Sequence, residues 1–194
     1  DWSSDVCSSD LPSLAYLPPK PGTPDEEALL PVVEKLAQAE RPVIIAGRGA
    51  QAARAKAEIL KLADQVGALL ATTLKAKGWL SGQEYDVGLS GTFASAPAEQ
   101  LLSEADFVLG VGAELGYYTA EGGLMFPSAE VARIDIKPAP DEIGVLPGLY
   151  LCGDAKKTVA ALSRALEARG VRKAGFRTAE TRAVLQAPAF EHPK

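Results

Sequence analysis

A short apolar run, Val43-Ile44-Ile45-Ala46, ends abruptly at Gly47-Arg48-Gly49, and an alanine-rich stretch follows at once. This junction constrains the fold more than any other feature of the chain. A buried strand, a glycine turn and a helix in immediate succession open a nucleotide-binding α/β unit. The glycines let the chain turn tightly and expose its amides, and the helix N-terminus behind them can hold a phosphate. Gly47-x-Gly49-x-x-Ala52 fits the G-x-G-x-x-G/A spacing. A strand–helix turn without a ligand accounts for that spacing equally well. The acid that would hold a ribose at the end of the second strand is missing. That position reads Ala71-Thr72-Thr73, which disfavours a conventional NAD site.

Around this unit the sequence alternates strands with helices. Asp25-Glu26-Glu27 opens an amphipathic helix with Leu29, Leu30, Val33, Leu36 and Ala37 on one face, capped by Thr23 or Asp25. Pro42 begins the first strand, where a missing N–H costs little. Ala50 to Val66 reads as one helix with Ala53, Ala57, Leu60 and Leu62 or Ala63 inward, and Gly67 stands at its C-cap. Ala68 to Ala71 is a second short strand; residues 79–95 are turn-rich; Pro97 to Ala105 is a helix. Phe107 to Gly112 is continuous and apolar, as a parallel strand covered on both faces should be. Val131 to Ile136 and Leu149 to Cys152 give two more strands, and Lys156 to Arg169 gives a helix closed by Gly170. Val171 to Lys194 reads as a linker with one short helix near Thr178–Leu185. This order predicts an α/β fold: a Rossmann-like, mostly parallel sheet with helices on both faces, of the NAD/FAD-binding type. Glycine or polar clusters follow nearly every strand and would converge at the carboxyl edge, where such sheets bind ligands.

Composition excludes several classes. The chain of 194 residues is 47% hydrophobic and 23% charged, enough for one domain with a true core. A net charge of −5 without a basic stripe argues against nucleic acid as a partner. No apolar run approaches the roughly 20 residues needed to cross a bilayer, so no membrane contact is expected. Cys7 and Cys152 form neither a disulfide framework nor a metal pattern, which suggests a cytoplasmic setting. The first eleven residues, DWSSDVCSSDL, look like a translated sequencing adaptor, with a native disordered tail as the alternative. Residues 12–24 are proline-rich and read as an extended linker.

The ordered set RPVIIAGRGA, ATTLKAKGWL, DVGLSGTFAS, EADFVLGVGAEL, LMFP, VARIDIKPAPDEIG and LCGDAKKTVAAL resembles the central domain of thiamine-diphosphate-dependent enzymes, nearest the acetolactate synthase-like group. The resemblance covers roughly Pro24 to Ala168, so the domain is expected over residues 25–169. It implies that residues 12–24 leave a pyrimidine-binding domain and residues 170–194 lead towards a diphosphate-binding one, both absent from this chain. It further implies a parent enzyme that is a carbon–carbon lyase or transferase acting on a 2-oxo acid, using thiamine diphosphate and Mg²⁺ held by those absent domains. Gly153-Asp154-Ala155 is not the family's Gly-Asp-Gly metal motif, since the following asparagine is missing. The fragment alone is therefore expected to be inactive, to join its neighbouring domains, and to belong to a homo-oligomer.

In the acetolactate synthase-like group the central domain carries FAD, and in some relatives ADP. The positions here that match, or flank, that cofactor-binding pattern are Gly47, Arg48, Gly49, Thr73, Leu74, Gly88, Gly91, Gly112, Asp135, Ile136 and Asp154. Two departures weaken it. An Arg-Phe-Asp-Asp-Arg run is replaced by Glu114-Leu115-Gly116-Tyr117-Tyr118, and a histidine before Gly91 is replaced by Ser90. Losing two arginines removes the charge-assisted pairs that hold a diphosphate most strongly. A free-standing FAD- or ADP-binding module, as in electron-transfer flavoproteins, and a ligand-free scaffold remain as alternatives. Single residues stay open in the same way. Lys75 and Lys77 suit a phosphate or a solvated pair; Arg48, a nucleotide or solvent; Asp135, a ribose or the turn before Pro138; Tyr117, Tyr118 and Phe126, a ring or their own sheet. Cys152 reads as core packing, and His192, the sole histidine, sits in the tail, where it supports no acid–base mechanism.

Overall fold

The computed structural model describes residues 22–137 and 148–186. The adaptor-like stretch with Cys7, most of the proline-rich linker, the second half of VARIDIKPAPDEIG and His192 lie outside the described residues.

Six strands form one sheet: β1 (Pro42–Ala46), β2 (Leu69–Thr72), β3 (Asp86–Leu89), β4 (Phe107–Val111), β5 (Glu130–Asp135) and β6 (Leu149–Cys152). Their order is β3-β2-β1-β4-β5-β6, and every adjacent pair runs parallel. This is the α/β Rossmann-like fold that the alternating pattern predicts. All five residues of β1 and of β4 are buried, because successive side chains point to opposite faces and both faces are covered.

Among the described residues seven α-helices accompany the strands: α1 (Glu26–Gln38), α2 (Arg48–Ala52), α3 (Lys56–Val66), α4 (Ala96–Ser103), α5 (Tyr117–Ala120), α6 (Ala155–Ala168) and α7 (Ala179–Gln186). On one face, Leu36 of α1, Ile59 and Leu62 of α3 and Leu162 of α6 pack with Ile44, Leu70, Leu109 and Ile134. On the other, Leu101 and Leu102 of α4 pack with Val43, Ile45, Leu69 and Val108. The alternation of residues 43 to 46 between these clusters is what makes β1 apolar throughout.

Four expectations are corrected. The helix expected over Ala50–Val66 is two helices, parted where Arg54 adopts φ 54 and the Ala55 amide donates to the Ala50 carbonyl. That six-to-one bond around a left-handed residue ends a helix, and glycine usually supplies it. With the phase reset, Ile59 and Val66 face the core beside Leu62 and Ala63, Leu60 is half-buried and Ala57 is exposed. The turn-rich stretch contains β3, an edge strand with a register shift against β2. Leu30 is exposed rather than inward. Cys152 is exposed too, because β6 is the other edge strand.

Residues 171–186 contain the short helix read from the sequence, as α7, and lie along the domain. Lys173 donates from Nζ to the carbonyls of Ala37 and Ala39 at the C-terminus of α1. Phe176 is buried, and Arg177 donates from Nε to the Ala68 carbonyl at 2.8 Å. Among the described residues no helix is long and apolar enough to cross a membrane.

Candidate functional site

Of the cofactor-pattern positions, Gly47, Arg48, Gly49, Thr73, Leu74, Gly91, Gly112, Asp135, Ile136 and Asp154 stand at or just beyond the carboxyl ends of parallel strands and Gly88 lies within β3, so the sheet brings these positions to one edge. The strand order reverses between β1 and β4, and the crevice at that point is the usual ligand position.

Gly47 and Gly49 meet Gly112 there directly. The Gly47 amide donates to the Val111 carbonyl and the Gly49 amide to the Gly112 carbonyl, each at 3.0 Å. A Cβ at Gly47 would stand 2.6 Å from Ala113 Cα, and one at Gly49 would stand 2.8 Å from Gly112 Cα. Glycine is needed at both positions because two backbones touch. Arg48, beside them, is exposed, as are Lys75 and Lys77, so all three basic side chains sit in solvent.

Thr73 is buried and donates its amide to the Ala46 carbonyl at 3.0 Å, which fastens the end of β2 to β1. Leu74 after it is 53% exposed. Gly88 lies in β3, where its amide donates to Asp86 Oδ1 and its carbonyl accepts from Thr72 Oγ1 at 3.2 Å. Burial raises the Asp86 carboxyl above its ordinary value, with the Gly88 amide and the charge of Lys56 opposing that rise.

Gly91 (φ 98) packs beneath the loop that follows β4. Ser90, buried in place of the histidine the family pattern implies, donates from Oγ to the Thr119 carbonyl at 2.8 Å. The Thr92 amide donates to the Tyr118 carbonyl at 3.1 Å. Because β1 and β2 lie between β4 and β3, this loop spans both to reach its partner. Phe126 is buried in the core, whereas Tyr117 and Tyr118 are exposed with their rings edge to face, 5.7 Å apart.

The remaining residues form a second group at β5 and β6. Asp135 Oδ2 accepts from Arg133 Nη2 at 2.6 Å, and its Oδ1 accepts from the Lys137 amide at 3.2 Å, the turn-capping use. Ile136 is exposed. Asp154 caps α6 by accepting from the Lys157 amide at 2.9 Å. Tyr150 donates to the Lys137 carbonyl at 2.7 Å. Burial first, then the charge of Asp135, pushes its hydroxyl above the usual phenol value.

Arg133 is the member that sequence reasoning missed. It is buried, and its Nε has no hydrogen-bond partner among the described residues. The signal was present: an arginine inside the apolar strand VARIDI, two positions before an aspartate, shares that residue's face. Among the described residues no group of three or more His, Cys, Asp or Glu side chains could hold a metal ion. A cleft of about 740 Å³ lies at the opposite edge, lined by Arg41, Glu104, Lys173 and Phe176.

Compared with known proteins, residues 29–162 match the model for the thiamine pyrophosphate enzyme central domain. The chain belongs to that family. The order of motifs read from the sequence and the six-stranded parallel sheet agree with it. Among curated relatives, a probable 2-ketoarginine decarboxylase of Pseudomonas aeruginosa is 33% identical over 189 residues, 96% of this chain and 32% of that protein. A probable acetolactate synthase large subunit of Methanococcus aeolicus is 30% identical over 158 residues, 78% of this chain and 26% of its own length. A 3D-(3,5/4)-trihydroxycyclohexane-1,2-dione hydrolase of Bacillus cereus is 27% identical over 146 residues, 75% of this chain and 23% of its own. This central domain thus spans at most about a third of the length of these relatives.

Proposed function

We propose that the chain is the middle portion of a thiamine-diphosphate-dependent enzyme that makes or breaks a carbon–carbon bond next to the carbonyl of a 2-oxo acid. The match of the central-domain model to most of the chain carries this reading. The names of the decarboxylase and acetolactate synthase relatives support the lyase or transferase class, and the hydrolase among them leaves the substrate open. In this reading the chain performs no chemistry by itself. The cofactor and its metal belong to a pyrimidine-binding and a diphosphate-binding domain elsewhere in a longer polypeptide. Assembly with those domains, homo-oligomer formation and a cytoplasmic setting are parts of the same proposal. The alternative of a free-standing FAD- or ADP-binding module draws no support from the relatives.

An assay with thiamine diphosphate, Mg²⁺ and a panel of 2-oxo acids tests the reading. A longer polypeptide containing this chain is expected to release CO₂ or to form a 2-hydroxy ketone, and the 194-residue chain alone to do neither. Turnover by the chain alone would overturn the assignment.

A further inference from the structure

Several of the positions that match a flavin-binding pattern are put to use by the chain itself, most tightly between β1 and β4. In a sheet of this order a nucleotide phosphate lies in that crevice, held by amides of the first glycine turn. Here the Gly49 amide in that turn is spent on the carbonyl of Gly112, while the Gly47 amide continues the β1–β4 ladder to Val111. The backbones of the two turns are in contact, since a single added methyl at either glycine would collide with the chain opposite. A phosphate group needs more room than a methyl group, and a donor already bonded to a carbonyl has no second hydrogen to offer.

The flanks are closed by the same means. On the side of β2 and β3, Ser90 and Thr92 tie the loop after β3 to Thr119 and Tyr118, drawing a belt of backbone across β1 and β2. On the side of β5, both oxygens of Asp135 accept hydrogen bonds from the chain, one from a buried guanidinium. Asp154 is spent on the first turn of α6. Glu114, exposed beside the crevice mouth, adds a charge that repels a diphosphate.

We propose that this chain binds neither FAD, ADP nor NAD at its carboxyl edge, because its own backbone fills the crevice and its own donors occupy the acids. The fold is that of a nucleotide site, and the glycines that identify such a site here serve backbone-to-backbone closure. This goes beyond the family reading, which stands whether or not a nucleotide is bound.

Calorimetric titration of the 194-residue chain with FAD, ADP and NAD tests it, on a preparation whose cooperative thermal transition shows it folded. Heats equal to dilution for all three, and a purified protein without a flavin absorbance band, are expected. Saturable binding of any one, or a yellow preparation, overturns the proposal. A chain that does not fold alone is titrated within the longer polypeptide, where heats of dilution are again expected and saturable binding at this domain again overturns the proposal. A second measurement needs no ligand: Gly49→Ala is expected to lower the thermal midpoint or abolish the folded state. An unchanged midpoint would mean that the two turns can part, and the closure would fail with it.

Discussion

Arg133 reaches along β5 to Asp135, donating from Nη2 to Oδ2 at 2.6 Å with its guanidinium withdrawn from solvent. The two residues share one face of the strand because they are two positions apart. Their side chains are 8% and 17% exposed, whereas each of the other ion pairs among the described residues keeps at least one side chain about half or more in water. Removing one partner of a buried pair strands the other charge, at a cost of about 3–5 kcal/mol. Arg133→Met and Asp135→Asn are each expected to lower stability by an amount of that order in urea denaturation. The double variant should lose less than the sum of the two, as residues in direct contact do. Strict additivity would show that the pair is not coupled.

Gly91 is the glycine whose replacement tests the belt across β1 and β2. Its φ of 98 disfavours any L side chain, and an added Cβ would stand 2.6 Å from Thr119 Cα. Gly91→Ala is expected to cost more than about 1 kcal/mol, since alanine at an incompatible backbone angle is strained in the folded state. Gly82, whose φ is 86 with nothing within 4 Å of an added Cβ, separates the two causes. Gly82→Ala carries the angular strain alone and should cost less. Urea denaturation of the two variants side by side measures the difference, and equal losses would remove the belt as a cause.

Asp86 gives a pH dependence with a definite sign. Its carboxyl is held above the ordinary value of 3.8 by burial. The protonated form is therefore favoured by folding, so its stabilising contribution is complete below 3.8 and is lost as pH rises through the raised folded value. Asn cannot ionise and keeps an oxygen for the Gly88 amide. Asp86→Asn is thus expected to gain stability relative to the natural chain on going from acid to neutral pH. A constant difference between the two across that range, followed by urea denaturation, would contradict this cause.

The segment after α6 is expected to stabilise the domain. Phe176 is 4% exposed within the cluster built on α4, and Arg41 lies over its ring at 5.7 Å. Phe176→Ala is expected to cost about 3–5 kcal/mol, as other large-to-small core changes do. Ending the chain after Arg172 should cost at least as much, because it also removes Lys173 from the last carbonyls of α1. A truncated chain as stable as the parent would show that residues 173–186 only rest on the surface.

Much of the fold was legible because the parallel strands carry unbroken apolar runs. Val43–Ala46 and Phe107–Val111 announce themselves by composition, and Gly67 and Gly170 mark helix ends. What was hidden has local causes. β3 holds only Asp86-Val87-Gly88-Leu89, with a glycine in mid-strand and a polar start, so it lacks a strand's signature. The break after α2 rests on a left-handed arginine in an alanine-rich stretch, where nothing in the sequence interrupts the helical pattern. Cys152 is exposed where the apolar run suggests core packing, because an edge strand and a central one read alike when apolar. The site was legible as positions and less so as uses. Gly47, Gly49 and Gly112 can serve a phosphate or one another, and the sequence does not show that the Gly49 amide bonds to the Gly112 carbonyl at 3.0 Å.

If this sheet is one domain of a larger thiamine-diphosphate-dependent enzyme, the coding sequence on both sides of it must supply the others. Reading that sequence from an independent clone tests the point most directly. One continuous reading frame is expected, with a pyrimidine-binding domain before residue 12 and a Gly-Asp-Gly motif followed by an asparagine beyond residue 194. A frame that closes on both sides of the chain with neither domain present would contradict it.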